Sequence, residues 1–200
     1  MSDTPVHVAA VVLAAGGAAR FGKLKQLLPW GSGTLLTQVV DTALASSARP
    51  VVVVLGAQAE ACRTALGERP VQVVVNPAWT QGQSTSVQAA LAVLPSYVDA
   101  TLFLLADQPA MQSSTLEALI ARYRTTRAPL VWPEFQGQRG NPVLFDHSLF
   151  PELMALRGDV GGRAVLQGHI AEAERVSVFD AGILTDIDTP DDYYKFREKT

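Results

Sequence analysis

The stretch VVLAAGGAARFGKLKQLLPW, residues 11–30, sets Gly16, Gly17 and Gly22 and the cations Arg20, Lys23 and Lys25 directly behind an apolar run. Glycine and cation in one loop are what a phosphate group asks for: close backbone approach, N–H donors and positive charge. Three templates compete. A P-loop, G-x-x-x-x-G-K-[ST], accepts Gly17, Gly22 and Lys23 but puts Leu24 where a hydroxyl must hold magnesium. A dinucleotide fingerprint fails as well. Gly16 and Gly17 are adjacent, Ala18 replaces the second glycine, and no acidic residue closes the next apolar run, VVVVLGAQ. The third template is a wider loop, in which the small residues Ala14 to Ala19 let backbone N–H groups face phosphate oxygens and Arg20 and Lys25 add charge. An ordinary strand-to-helix loop with solvated cations is the plain alternative.

Asp107 follows LFLLA and precedes QP. A carboxylate at the carboxyl end of a buried strand stands where ligands bind in α/β sheets. Oxygen ligands with retained water suit Mg2+; a turn aspartate or helix cap is the other reading. G-x-S-x-G and H-E-x-x-H are both absent, so a protein nucleophile or catalytic zinc has no signature here. The single cysteine, Cys62, reads as a small apolar helix residue and excludes an internal disulfide or a cysteine-based zinc site. His7, His147 and His169 read as incidental.

These residues need a frame. Short apolar runs alternate with helical patterns: HVAAVVLAA, PVVVVL, VQVVV and ATLFLLA as strands; TLLTQVVDTALAS, QAEACRTAL, STSVQAALAVL and SSTLEALIARYR as helices. Ser84 is the expected N-cap of the third helix, and Ser114 with Glu117 a capping box for the fourth. The strands are continuously apolar rather than alternating, which marks a sheet covered on both faces. An α/β, doubly wound, mostly parallel sheet follows, with ligands outside the strands' carboxyl ends, near Ala14, Gly56, Asn76 and Asp107. After residue 128 the pattern turns irregular, and TDIDTPDDYYKFREK predicts a turn and a last helix with Thr189 as N-cap and Pro190 at N1. With no linker or repeat, 200 residues fit one domain: a half to about residue 127, then a small C-terminal elaboration on the substrate side.

The composition is 48% hydrophobic and 18% charged, enough for a core and unlike a disordered chain. A net charge of −3 gives no reason to expect nucleic acid. The segment MSDTPVH lacks a basic region, and the apolar run behind it is too short to span a bilayer, so no membrane and a reducing cytoplasm are expected.

LAAGGAARFGKLKQLLPWGSGTLL resembles the start of the nucleotidyltransferases that make molybdopterin dinucleotide cofactors, whose pattern is L-A-A-G-x-S-x-R-M/F-G, then K-x-L-L-P-W, then T-L-L. The resemblance continues in order through NPAWTQGQSTSVQAAL, LLADQPAM, RGNPVLF, LRGDVGGRAVL and DIDTPDDY, nearly the whole chain. One departure is Gly17-Ala18, where many members carry a short residue and then Ser. The LAAG and PW forms are similar to the cytidine branch of the family.

The resemblance implies a Rossmann-like nucleotidyltransferase fold and transfer of CMP from CTP to the terminal phosphate of molybdopterin, with pyrophosphate leaving. Two anions must meet, so cations, a divalent metal (Mg2+, or Mn2+ in its place) and in-line positioning are required. It implies catalytic roles for Arg20, Lys25 and Asp107. Nucleotide contacts fall to Leu13, Ala14, Ala15, Gly16, Gly17, Arg20, Lys25, Pro29, Trp30, Asn76, Gly82, Gln83, Ser84 and Ser86. Metal ligation falls to Asp107 and Asp188, with Asp186 the alternative to Asp188, and acceptor binding to Arg139, Asn141, Asp159 and Arg163. For the last four a hairpin and a helix cap are the structural alternatives. Three rivals stand beside this reading: a guanylyltransferase, a related enzyme with another phosphorylated acceptor, and a non-catalytic carrier handing molybdenum cofactor to a molybdoenzyme.

Overall fold

The computed structural model describes residues 5–17 and 24–197. Its central strands are β1 (Val8–Ala14), β4 (Val51–Leu55) and β6 (Ala100–Leu105), flanked by β5 (Gln72–Val75). β2 (Pro29–Trp30) and β3 (Gly33–Thr34) form a separate short ladder. β7 (Leu130–Phe135), β8 (Gln138–Arg139), β9 (Val143–Asp146) and β10 (Glu174–Ser177) come from the irregular stretch. Among the described residues, eight strands make one sheet in the order β10-β7-β9-β6-β1-β4-β5, with β8 on β7. Pairing is parallel from β6 through β5 and between β10 and β7, whereas β9 runs against both neighbours. The residues after 128 therefore extend the same sheet. The hairpin into β8 turns on Gln136 and Gly137, both at positive φ (51° and 77°), as a two-residue loop requires.

Alternate residues of the central strands feed two cores. Ala10, Val12, Val53, Leu55, Leu102 and Leu104 pack on one face against α1 (Leu35–Leu44), α2 (Ala59–Leu66) and α4 (Ser113–Thr126). Val11, Val52, Val54 and Phe103 pack on the other against α3 (Gln83–Leu91), α5 (Phe150–Ala155) and α6 (Arg163–Gly168). Burying each of these valine, leucine and phenylalanine side chains stabilises by about 1.5–3 kcal/mol, and double coverage is why these strands carry no polar alternation. α7 (Pro190–Arg197) closes a third, small cluster of Trp30, Leu35, Ile187 and Tyr193.

Helix starts depart from expectation in two places. Gly82, not Ser84, caps α3, because its φ of +111° turns the chain where a side chain could not follow. α4 has no Ser114–Glu117 box: Glu117 instead accepts from the Ser47 backbone N–H and hydroxyl. Its first turn is served from a distance by buried Asp180, which accepts from the Gln112 N–H (2.9 Å) and the Thr115 hydroxyl (2.6 Å). α7 starts as expected: Thr189 accepts from the Asp192 N–H, and Asp192 accepts from Thr189 N–H in return.

Order reverses at β1: β4 lies on one side and β6 on the other. The crevice between the carboxyl ends of β1 and β6 is thus a topological switch point, the place where such sheets bind ligands. No helix among the described residues is long and apolar enough to cross a membrane.

Candidate active site

Leu13 pairs with Leu105, and the Ala106 N–H donates to Leu13 O at 3.2 Å, so the loop after β1 and the residues after β6 emerge side by side. The backbone past Ala14 is held by Gln26, whose Nε2 donates to Gly16 O (2.6 Å) and Ala14 O (3.3 Å). Those two bonds hold residues 14–16 at the crevice. The Lys25 ammonium reaches across it to Asp107 Oδ2 at 2.8 Å and Asp188 Oδ1 at 3.1 Å. Burial works against the ammonium, but Asp107 and then Asp188 outweigh it and hold the Lys25 pKa above the usual lysine value.

Asp107 and Asp188 meet through local ties. The Ile187 N–H donates to Asp107 O at 2.9 Å, and the Gln108 amide donates to Asp186 Oδ1 at 2.7 Å. Burial raises the Asp186 carboxyl above its usual range, and the nearby Asp107 and Asp188 charges add to this, against the Gln108 hydrogen bond. Neither Asp186 nor Asp188 caps α7, since Thr189 does so.

A cavity of about 510 Å3 opens here. It is lined by the predicted Leu13, Ala15, Gly16, Gly17, Lys25, Gly82, Gln83, Ser86, Asp107 and Asp188, and also by Asp159. Sequence reasoning missed Gln26, Trp79, Leu105 and Ala106, which line it too. Trp79 sits in the NPAWTQG motif, and its ring fits against Gly17, where an added Cβ would meet it at 3.0 Å. Gln26 lies between Lys25 and the apolar pair Leu27-Leu28, where the sequence carries no signal of its own for it.

A second cavity of about 540 Å3 adjoins the first and shares Leu13, Gln83, Leu105 and Asp159 with it. Arg139, Asn141 and Arg163 line it, with an aromatic wall of Phe103 and Phe145 in edge-to-face contact at 5.8 Å. The loop between α5 and α6 is pressed onto the start of α3. An added Cβ at Gly82 would lie 2.2 Å from Gly158 C, and Asp159 Oδ1 accepts from the Gln83 N–H at 3.3 Å.

Several predicted nucleotide contacts lie in neither cavity. Trp30 is 4% exposed and packs on Leu35, Ile187 and Tyr193, and Pro29 O accepts from the Tyr193 hydroxyl at 2.6 Å, so both seat α7. Asn76 is consumed internally: it donates to Thr85 Oγ1 and Ser86 Oγ and accepts from Ala78 N–H. Ser84 is buried, with its N–H on Gly158 O. Ala14 is buried with its carbonyl on Gln26. Arg20 lies outside the described residues.

Charge and an orphaned atom bear on a metal. Among its described lining residues the first cavity holds one cation, Lys25, against Asp107, Asp159 and Asp188. That balance repels a triphosphate unless further cations enter. Asp107 Oδ1 is buried with no hydrogen-bond partner among the described residues, although such an atom ordinarily has one. Two carboxylates completed by water and phosphate oxygens fit Mg2+ or Mn2+. Among the described residues no group of three or more His, Cys, Asp or Glu could cage a metal by itself.

A sheet reversed at β1, a small-residue loop at the switch point and facing aspartates define a Rossmann-like nucleotidyltransferase. Residues 10–176 match the model of the MobA-like NTP transferase domain, and the chain belongs to that family. It is 31% identical to nicotine blue oxidoreductase of Paenarthrobacter nicotinovorans, over 98% of this chain and 99% of that one. It is 27% identical to molybdenum cofactor cytidylyltransferase of Escherichia coli, over 94% and 95%. Rv0371c of Mycobacterium tuberculosis superposes with a TM-score of 0.87 at 29% identity, covering 98% of this chain and 100% of that one. A further structure of Rv0371c is a complex with manganese, with a TM-score of 0.84 at 28% identity and the same coverage.

Proposed function

We propose that this protein transfers CMP from CTP to the terminal phosphate of molybdopterin, giving molybdopterin cytosine dinucleotide and pyrophosphate. The observation that carries the reading is Lys25 held between Asp107 and Asp188 at the mouth of the small-residue loop. An acceptor phosphate oxygen forms a new bond to the α-phosphorus of CTP while the bond to the β-phosphate bridging oxygen breaks. The chain supplies positioning and charge: loop N–H groups face the phosphates, and the Lys25 ammonium meets the leaving pyrophosphate. A divalent ion on Asp107 and Asp188 would add Lewis-acid charge at the phosphate oxygens. The nucleotide occupies the first cavity. The acceptor lies in the second, with its ring system against Phe103 and Phe145 and its phosphate within reach of Arg139 or Arg163. Asp159, shared by both, stands at the junction.

The choice of cytosine leans on the LAAG loop and on the Escherichia coli relative. The PW form supports it less, because Trp30 faces α7. The name of the Paenarthrobacter relative points to other chemistry. The test is a thermal-shift panel of CTP, GTP and ATP with and without Mg2+, followed by pyrophosphate release on adding molybdopterin. A metal-dependent rise with CTP above GTP, then CTP- and molybdopterin-dependent pyrophosphate, is the expected result. A GTP preference overturns the base. Nucleotide binding with no pyrophosphate for molybdopterin overturns the acceptor.

A further inference from the structure

Asp188 stands on irregular chain between a single 3-10 turn (Ala181–Leu184) and α7, and its side chain is 53% exposed. No ladder fixes it, yet a metal held between two carboxylates needs their separation fixed within a fraction of an ångström. Something has to anchor residues 185–188 to the end of β6. The Ile187 side chain, fully buried beside Trp30, Leu35 and Tyr193, holds the segment from behind. Its N–H on Asp107 O supplies one cross-link, and Gln108 supplies the other.

Gln108 is 2% exposed. An amide so deep is retained at a cost unless it is used. Its Nε2 donates to Asp186 Oδ1 at 2.7 Å, across 78 residues, while its Oε1 is buried without a partner among the described residues. One buried amide thus joins the residue next to Asp107 with the residue two before Asp188. The same hydrogen bond sets a donor against a carboxylate that also faces the like charges of Asp107 and Asp188, with Lys25 as the nearby cation.

We propose that Gln108 is a positioning residue that, by holding Asp186, fixes Asp188 opposite Asp107 and thereby sets affinity for the divalent metal. This rests on the reading that Asp107 and Asp188 are the metal ligands. Gln108 touches neither nucleotide nor metal, and Asp186 acts as its anchor instead of as a ligand.

The test is Mn2+ binding to the whole protein, followed by the electron paramagnetic resonance signal of free Mn2+, with thermal unfolding measured alongside. Gln108→Leu is expected to raise the Mn2+ Kd about tenfold or more, as loss of an outer-shell partner does. Asp186→Ala is expected to match it, and the double variant to be no worse than either. Should Gln108→Leu not fold, Gln108→Asn, which stays polar but is too short to reach Asp186, carries the same expectation. An unchanged Kd in the folded Gln108 variant overturns the proposal. So does an Asp186→Ala effect far larger than that of Gln108→Leu, worsened further in the double variant, because Asp186 would then be a ligand itself. Asp107→Asn and Asp188→Asn separate the two levels. If they weaken Mn2+ binding and the Gln108 variant does not, only the positioning role falls; if neither does, the metal reading falls with it.

Discussion

Lys25 and Asp107, 82 residues apart in sequence, stand 2.8 Å apart in the fold, and their pairing joins the segment after β1 to the end of β6 across the crevice. Under the proposed function, Lys25→Met removes the cation that meets the leaving pyrophosphate while leaving the scaffold intact. Pyrophosphate release is expected to fall about 100- to 1,000-fold. The pair is partly open to water, so the melting temperature should move by no more than about 2–4 °C. A large loss of stability with proportionate loss of activity would make Lys25 a structural residue.

Trp30 and Trp79 separate packing from binding. Trp30→Ala opens a hole beneath α7 and is expected to cost about 3–5 kcal/mol in denaturant unfolding. Trp79, half-buried at the cavity wall, should cost less when truncated and should instead weaken CTP binding in titration calorimetry. If Trp30→Ala, still folded, loses CTP affinity more than Trp79→Ala does, the tryptophan assignments are reversed.

His169 gives the fold a pH-dependent tie. Its ring is bonded to Glu152 at 3.0 Å and Glu172 at 3.3 Å, joining the end of α6 to α5. The Glu152 hydrogen bond, then Glu172, hold the His169 pKa above its ordinary value against slight burial. A raised folded-state pKa gives stability that is complete below the unfolded value, about 6.5, and is lost as pH climbs through the folded value. The melting-temperature gap between wild type and His169→Gln should therefore be widest near pH 6 and shrink towards pH 8.5. A gap that grows with pH would contradict it.

Cys62 should be inert in the native protein. Burial alone pushes its thiol up to about 11, so little thiolate exists near neutrality. Iodoacetamide at pH 8 is expected to leave the folded chain unlabelled and to label it fully in denaturant. Fast native labelling would show that α2 opens readily.

Much of this was legible because the signals are local. Short continuous apolar runs rich in Val and bounded by Pro and Gly read as strands covered on both sides, and Asp107 at the end of one marked the crevice. Trp30 was misleading for a physical reason: a large aromatic beside a binding loop serves packing and stacking equally well, and only the position of α7 decides between them. Asn76 likewise reads as a ligand contact until its three side-chain hydrogen bonds, to Ala78 in its own loop and to Thr85 and Ser86 of α3, are counted. Gln108 and Asp180 could not be read at all, since their partners lie 78 and 65–68 residues away. In the irregular run after residue 128, APLVWPEFQGQRGNPVLF reads only as strand-like pieces broken by Pro, Gly and polar residues, because β9 runs antiparallel and β8 has only two residues. Neither yields a long apolar run.

Lys25 and Asp188 are separated by 163 residues. A ribosome adds about 5–20 residues per second, so the second carboxylate is made on the order of ten seconds after the cation it meets. For that interval the emerging chain carries Lys25 without one of its two carboxylate partners. Shortened products of interrupted translation that stop between Ser177 and Ile187 would carry every strand of the sheet but lack Asp188 and the Ile187 and Tyr193 side chains that pack on Trp30.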